Sequence, residues 1–146
     1  MTAKKSDAPQ KKNRALGDFG EAIAAKMMEA QGYTVTRRNY YGQHGELDLI
    51  CEKEDTVVFV EVKTRKNTQS SLRYGRPATA VTAKKAAHLL ETAEEYLYRE
   101  KPQKRPRIDV IEVYVSEHKT PDGVVYTVDK TTHFKNAVTK DSAEKY

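Results

Sequence analysis

Asp48, Glu61 and Lys63 are the residues of this chain whose types and spacing could do chemistry. Asp48 lies within Gly45-Glu46-Leu47-Asp48-Leu49-Ile50, and Glu61 and Lys63 close the apolar run Val57-Val58-Phe59-Val60. Both runs read as buried strands. Burying a lone charge is costly, so buried charges are as a rule paired or bound to a metal. Side chains alternate faces along a strand, so Glu61 and Lys63 emerge on one side. The polar patch Cys51-Glu52-Lys53-Glu54-Asp55-Thr56 has hairpin-turn character. If the flanking runs pair antiparallel about Glu54-Asp55, Asp48 comes opposite the Glu61–Lys63 end of its partner. Two carboxylates then converge with an ammonium beside them. A hard divalent cation takes oxygen ligands of this kind and keeps several waters. The lysine can orient a water or neutralise charge developing on a phosphate.

Asp48 followed by Glu61-Val62-Lys63 resembles the D…(D/E)xK signature of the restriction-endonuclease-like, or PD-(D/E)xK, superfamily of metal-dependent nucleases. The neighbouring words narrow this. Gly20-Glu21, Arg38-Asn39, Gly45 to Ile50 and Phe59-Val60-Glu61-Val62-Lys63-Thr64-Arg65 resemble the YraN-like family of predicted bacterial endonucleases. The pattern continues through Gly75, Val81 and Lys85 to Arg107-Ile108-Asp109-Val110, so the resemblance covers roughly residues 14 to 138. Leu47 stands where the superfamily carries a proline, which leaves the superfamily match resting on the carboxylates.

The resemblance implies Mg²⁺ or Mn²⁺ held by Asp48 and Glu61, with the carbonyl of Val62 as a further ligand and Lys63 positioning or activating water. It matches Glu21 to the helical glutamate that assists metal binding in related junction-cleaving nucleases, a group akin to the archaeal Holliday-junction resolvases. Read from helical spacing alone, Glu21 is an ordinary surface glutamate. The implied substrate is DNA, branched or single-stranded, in repair or recombination. Superfamily relatives that cut branched DNA act as two-fold dimers, which leaves open a homodimer here, or another protein partner.

Composition sets the frame. At 146 residues and 16.6 kDa the chain is long enough for one domain with one core. Its single cysteine, Cys51, excludes an internal disulfide and reads as a buried thiol. No apolar run approaches a membrane span and no secretory h-region follows the basic start, so a cytoplasmic protein is expected. P-loop, Cys/His zinc and Gly-x-Ser-x-Gly patterns are absent. Most of the net charge of +5 belongs to residues 1–14, where Lys4, Lys5, Lys11, Lys12 and Arg14 face only Asp7. A second basic concentration, Lys63, Arg65, Lys66, Arg73 and Arg76, directly follows the acidic pair and contains no acid. Cations so placed suit a phosphate backbone, where they make affinity salt-sensitive.

The elements that must position these groups follow from periodicity. Residues 1–13 are expected to be a disordered basic tail, 14–138 one nuclease-like domain and 139–146 a frayed end. A helix is predicted from about Arg14 to Gln31, with Leu16, Phe19, Ile23 and Met27 on its apolar side and Gly32 as its stop. Ala24 and Ala25 would let it approach a sheet closely and aim Glu21 at the site. Tyr33 to Tyr40 reads as an edge strand in which Arg37, Arg38, Tyr40 and Tyr41 interleave cations with aromatics, and Arg38 joins the phosphate-binding candidates. His44, in a loop, reads as solvated. Glu46 would stand behind Asp48 or on the rim. Residues 64–80 form a long connection, and Thr82 caps a second helix to about Arg99. Lys84 and Lys85 sit in its first turn, where the helix dipole disfavours cations unless a phosphate is near. Arg107 to Ser116 and Val124 to Thr131 are strands about a Pro121-Asp122-Gly123 turn, with Asp109 paired to Arg107 or Lys104.

The predicted fold is therefore α/β, order α-β-β-β-α-β-β, a mixed central sheet of about five strands flanked by helices. It resembles the restriction-endonuclease-like three-layer sandwich. Two rival readings stand beside the nuclease: a non-catalytic nucleic-acid- or partner-binding module with the same fold, and a purely structural Glu61–Lys63 ion pair.

Overall fold

The computed structural model of the chain describes residues 3–67 and 81–143. Its elements run α1 (Ala3–Ala30), β1 (Thr34–Tyr41), β2 (Glu46–Lys53), β3 (Thr56–Lys66), α2 (Ala83–Glu100), β4 (Arg105–Thr120), β5 (Gly123–Phe134) and α3 (Lys140–Ala143). The strands form one five-stranded sheet in chain order, β1 to β5. β1, β2 and β3 form an antiparallel meander, β3 and β4 are parallel, and β5 folds back antiparallel on β4. A parallel neighbour needs a crossover, and the segment containing α2 provides it. The expected order and the mixed five-stranded sheet are both present, with α3 as an additional single turn. No helix among the described residues is long and apolar enough to cross a membrane.

The sheet buries both faces. On one, Ala24, Ala25 and Met28 of α1 pack on Leu49, Cys51, Val58, Val60, Ile111, Val113 and Val115. On the other, Ala86, Leu89, Ala93 and Tyr96 of α2 cover Leu47, Ile50, Val57, Phe59, Ile108 and Val110. Phe59 and the valines flanking it are wholly buried, and each contributes about 1.5–3 kcal/mol. Cys51 lies in this core, and burial pushes its thiol up to about 12, so it is inert.

Several boundaries differ from those read off the sequence. α1 extends N-terminally of Arg14 to Ala3, and from Leu16 onwards its apolar side packs on the sheet. β3 continues through Thr64, Arg65 and Lys66, predicted as loop, because they pair in parallel register with Val113, Tyr114 and Val115. At the C-terminal end, Val138 is buried, Ala137 N–H donates to the Ile108 carbonyl and Thr139 N–H to Ser142 Oγ, which tie down the α3 turn. The β2–β3 hairpin turns about Glu54-Asp55 as predicted, with Lys53 opposite Thr56. Thr82 caps α2 by accepting from Lys85 N–H at 3.1 Å.

Candidate active site

The alternation of β2 breaks at Asp48. Leu47 packs against α2, yet Leu49, two residues on, packs against α1. Opposite this break, Asn39 of β1 holds a positive φ of 53°. On the other side the β2–β3 pairing runs only as far as Leu49 opposite Val60. Beyond it, Val62 N–H donates to Asp48 Oδ2 at 2.7 Å, so the carboxylate replaces a strand partner. The distortion turns Asp48 towards Glu61, and the two share a hydrogen bond. Each is only 8% exposed. Burial pushes the Asp48 carboxyl up to about 8, the negative charge of Glu61 adds to the rise, and the Val62 amide opposes it. Burial and the neighbouring charge thus both resist full ionisation of Asp48.

Around this pair the expected residues divide by face. Lys63 is half-buried and, by alternation, on the α2 side with Glu61. Lys85 reaches in from the first turn of α2, its Nζ 3.4 Å from Glu61 Oε2. Arg65 Nε donates to Glu112 Oε2 at 3.2 Å. Lys66, displaced by one position, lies on the opposite face, 3.0 Å from Glu117. Arg38 is exposed on the α1 side. Arg73 and Arg76 lie outside the described residues.

Glu21 is placed by close contact between α1 and β3. A Cβ at Gly20 would stand 1.7 Å from Thr64 Oγ1, so only glycine permits this approach. Glu21 is raised above the ordinary carboxylate range, first by burial, then by the charges of Asp18, Glu46 and Glu61, with Arg38 opposing. It faces a groove of about 480 Å³ lined also by Asp18, Tyr41 and Glu46. Glu46 sits on this rim, hydrogen-bonded to Tyr41, whose phenol its charge pushes up. Glu21 influences the Asp48–Glu61 pair through its charge. Among the described residues, no three His, Cys, Asp or Glu side chains converge closely enough to hold a metal.

One group near the pair was not singled out from sequence, and one contact of a residue that was named there was not foreseen. Glu112 is 3% exposed on β4, in register with Lys63. Its signal was available, since it interrupts the apolar run Ile108 to Val115 much as Asp48 interrupts its own. The contact of Lys85 with Glu61 had no local signal. At the other end of β4, Asp109 is wholly buried, and Arg107 Nε and Nη2 each donate to it at 2.8 Å. His133 Nε2 lies 2.7 Å from the same carboxylate and Asn136 N–H donates to it at 2.8 Å, so Asp109 is the structural partner expected. His44 is mostly exposed, 3.7 Å from Glu91.

The model of the uncharacterised protein family UPF0102 matches residues 20–113, a span containing Glu21, Asp48, Glu61, Lys63, Lys85 and Glu112. This is the YraN-like family to which the sequence motifs pointed. A UPF0102 protein of Syntrophomonas wolfei is 44% identical over 110 residues, covering 74% of this chain and 91% of that protein. A UPF0102 protein of Caldicellulosiruptor saccharolyticus is 40% identical over 104 residues, covering 70% of this chain and 85% of that one. Another, from Chlorobium phaeobacteroides, is 37% identical over 123 residues, covering 84% and 91% of the two chains.

Proposed function

The chain belongs to the uncharacterised protein family UPF0102, and from the chemistry of its Asp48–Glu61 pair we propose that it is a metal-dependent endonuclease hydrolysing DNA phosphodiesters on a restriction-endonuclease-like fold. What supports the reading is two buried carboxylates brought together at a strand break, an arrangement whose mutual repulsion a bound cation would relieve. The donors are hard oxygens. They suit Mg²⁺ or Mn²⁺, with the Val62 carbonyl as a third protein ligand and waters completing the shell. When bound, such a cation supplies positive charge at the phosphate and acidifies a water.

The chain's own groups do the rest. Asp48 and Glu61, on neighbouring strands, would hold the cation at a fixed place beside β3. Lys63, on the Glu61 side, holds the attacking water or offsets charge growing on the phosphate oxygens. Glu21 adds negative potential from the α1 side. Arg65 presents its guanidinium while Glu112 fixes its Nε, and Arg38, Arg73 and Arg76 belong to the same backbone-binding proposal. Branched or single-stranded DNA, a cytoplasmic location and action as a homodimer or with a protein partner are part of this proposal.

The deciding experiment is cleavage of labelled single-stranded, duplex, flap and four-way-junction DNA with Mg²⁺ or Mn²⁺. Wild type should give metal-dependent products, and Asp48→Asn and Glu61→Gln should lose them while retaining the fold. Wild-type-like cleavage in both variants would sink the proposal. The second reading, a binding module on the same fold, draws on the lack of a third converging side-chain ligand among the described residues. It predicts salt-sensitive DNA binding without products.

A further inference from the structure

Glu61 makes its ion pair with a lysine from a different element. Lys85 Nζ lies 3.4 Å from Glu61 Oε2, with the Lys85 side chain 42% exposed and that of Glu61 only 10% exposed. The half-exposed lysine thus sits over a carboxylate that is itself nearly buried. It does so from the first turn of α2, where the helix dipole opposes a positive charge. A lysine held there against the dipole answers the excess negative charge of Asp48 and Glu61. A divalent cation on those two carboxylates would claim the same oxygen and repel the ammonium a few ångströms away. Lys85 has a long, half-exposed stem and can swing outwards. A phosphate over the α2 N-terminus, a location that favours negative charge, would lie within its reach.

We propose that Lys85 is a placeholder for the cation: it neutralises Glu61 in the metal-free protein and passes to a backbone phosphate when the metal binds. Metal and nucleic acid then strengthen each other's binding, reciprocally and by the same factor. This rests on the metal-site reading of Asp48 and Glu61, and the test separates the two.

Mn²⁺ binding to the full chain is measured by titration calorimetry for wild type, Lys85→Gln, Lys84→Gln and Asp48→Asn, with circular dichroism confirming the fold of each. Removing a competing ion pair of ordinary strength should tighten Mn²⁺ binding to Lys85→Gln about fivefold. Lys84→Gln removes the same charge from the same turn and should stay within about twofold of wild type on the same scale. Binding of a labelled single strand is then measured by anisotropy with and without Ca²⁺. Ca²⁺ should strengthen it for wild type, and that gain should shrink in Lys85→Gln. Equal or weaker Mn²⁺ binding in Lys85→Gln, with binding lost in Asp48→Asn, overturns the placeholder and leaves the metal site standing. Mn²⁺ binding that is absent from wild type, or unchanged in Asp48→Asn, overturns the metal site and the placeholder with it.

Discussion

Asp48→Asn should stabilise the metal-free protein while abolishing its proposed activity, and the pH dependence of that gain can be worked from the structure. The Asp48 carboxyl is raised from 3.8 to about 8 by burial and by Glu61, so folding takes up a proton there. A raised carboxylate contributes its full share below the unfolded value and loses it as pH climbs towards the folded one. The wild type should therefore weaken relative to the asparagine variant from about pH 4 to pH 8, at no more than about 1.4 kcal/mol per pH unit, and the difference should level off above that. Local relaxation and the coupling to Glu61 reduce the total to on the order of 2–4 kcal/mol. At this chain length that corresponds to about 2–4 °C in Tm per kcal/mol. The assay is urea unfolding followed by circular dichroism at pH 4, 6 and 8 in EDTA, wild type beside Asp48→Asn. Carboxylates that do not interact with Asp48 titrate alike in both proteins and cancel in the difference. Adding Mn²⁺ at a hundred times its Kd should then stabilise wild type alone, by about 2.7 kcal/mol. A variant equal to or less stable than wild type at pH 8 would refute the claim that the pair is electrostatically frustrated.

Two further outcomes test the surroundings of the site. Gly20→Ala places a methyl where Thr64 Oγ1 now stands, and overpacking there should cost about 1–3 kcal/mol in urea melts while displacing Glu21. Arg107→Met takes the guanidinium from the wholly buried Asp109, leaving it His133 and the Asn136 amide, and should cost about 3 kcal/mol. Burial pushes Asp109 up, but hydrogen bonds from His133, Arg107 and Asn136 outweigh it and hold it below the ordinary value. Its contribution is therefore present at neutral pH and lost as pH falls through the folded value, so the penalty of Arg107→Met should shrink in acid.

The chemistry of the centre was legible in the sequence because it is local. Asp48, Glu61 and Lys63 belong to one hairpin with a two-residue turn, and strand alternation alone puts Glu61 and Lys63 on one face, whereas the break of alternation at Asp48 carried no local mark. A charge inside such a run is conspicuous, and Glu112 carries the same mark. The apolar stripes of α1 and α2, the Thr82 cap and the Pro121-Asp122-Gly123 turn are equally short-range signals. What the tertiary structure decided lies between elements distant in sequence. The parallel pairing of β3 with β4 extends β3 to Lys66, puts Glu112 beside Lys63 and Arg65, and sends Lys66 to the other face. The close approach of Gly20 to Thr64 brings Glu21 within electrostatic reach of the pair. The crossover helix delivers Lys85 to Glu61. None of these follows from local periodicity, because periodicity says which way a side chain faces and is silent on what another element will place before it.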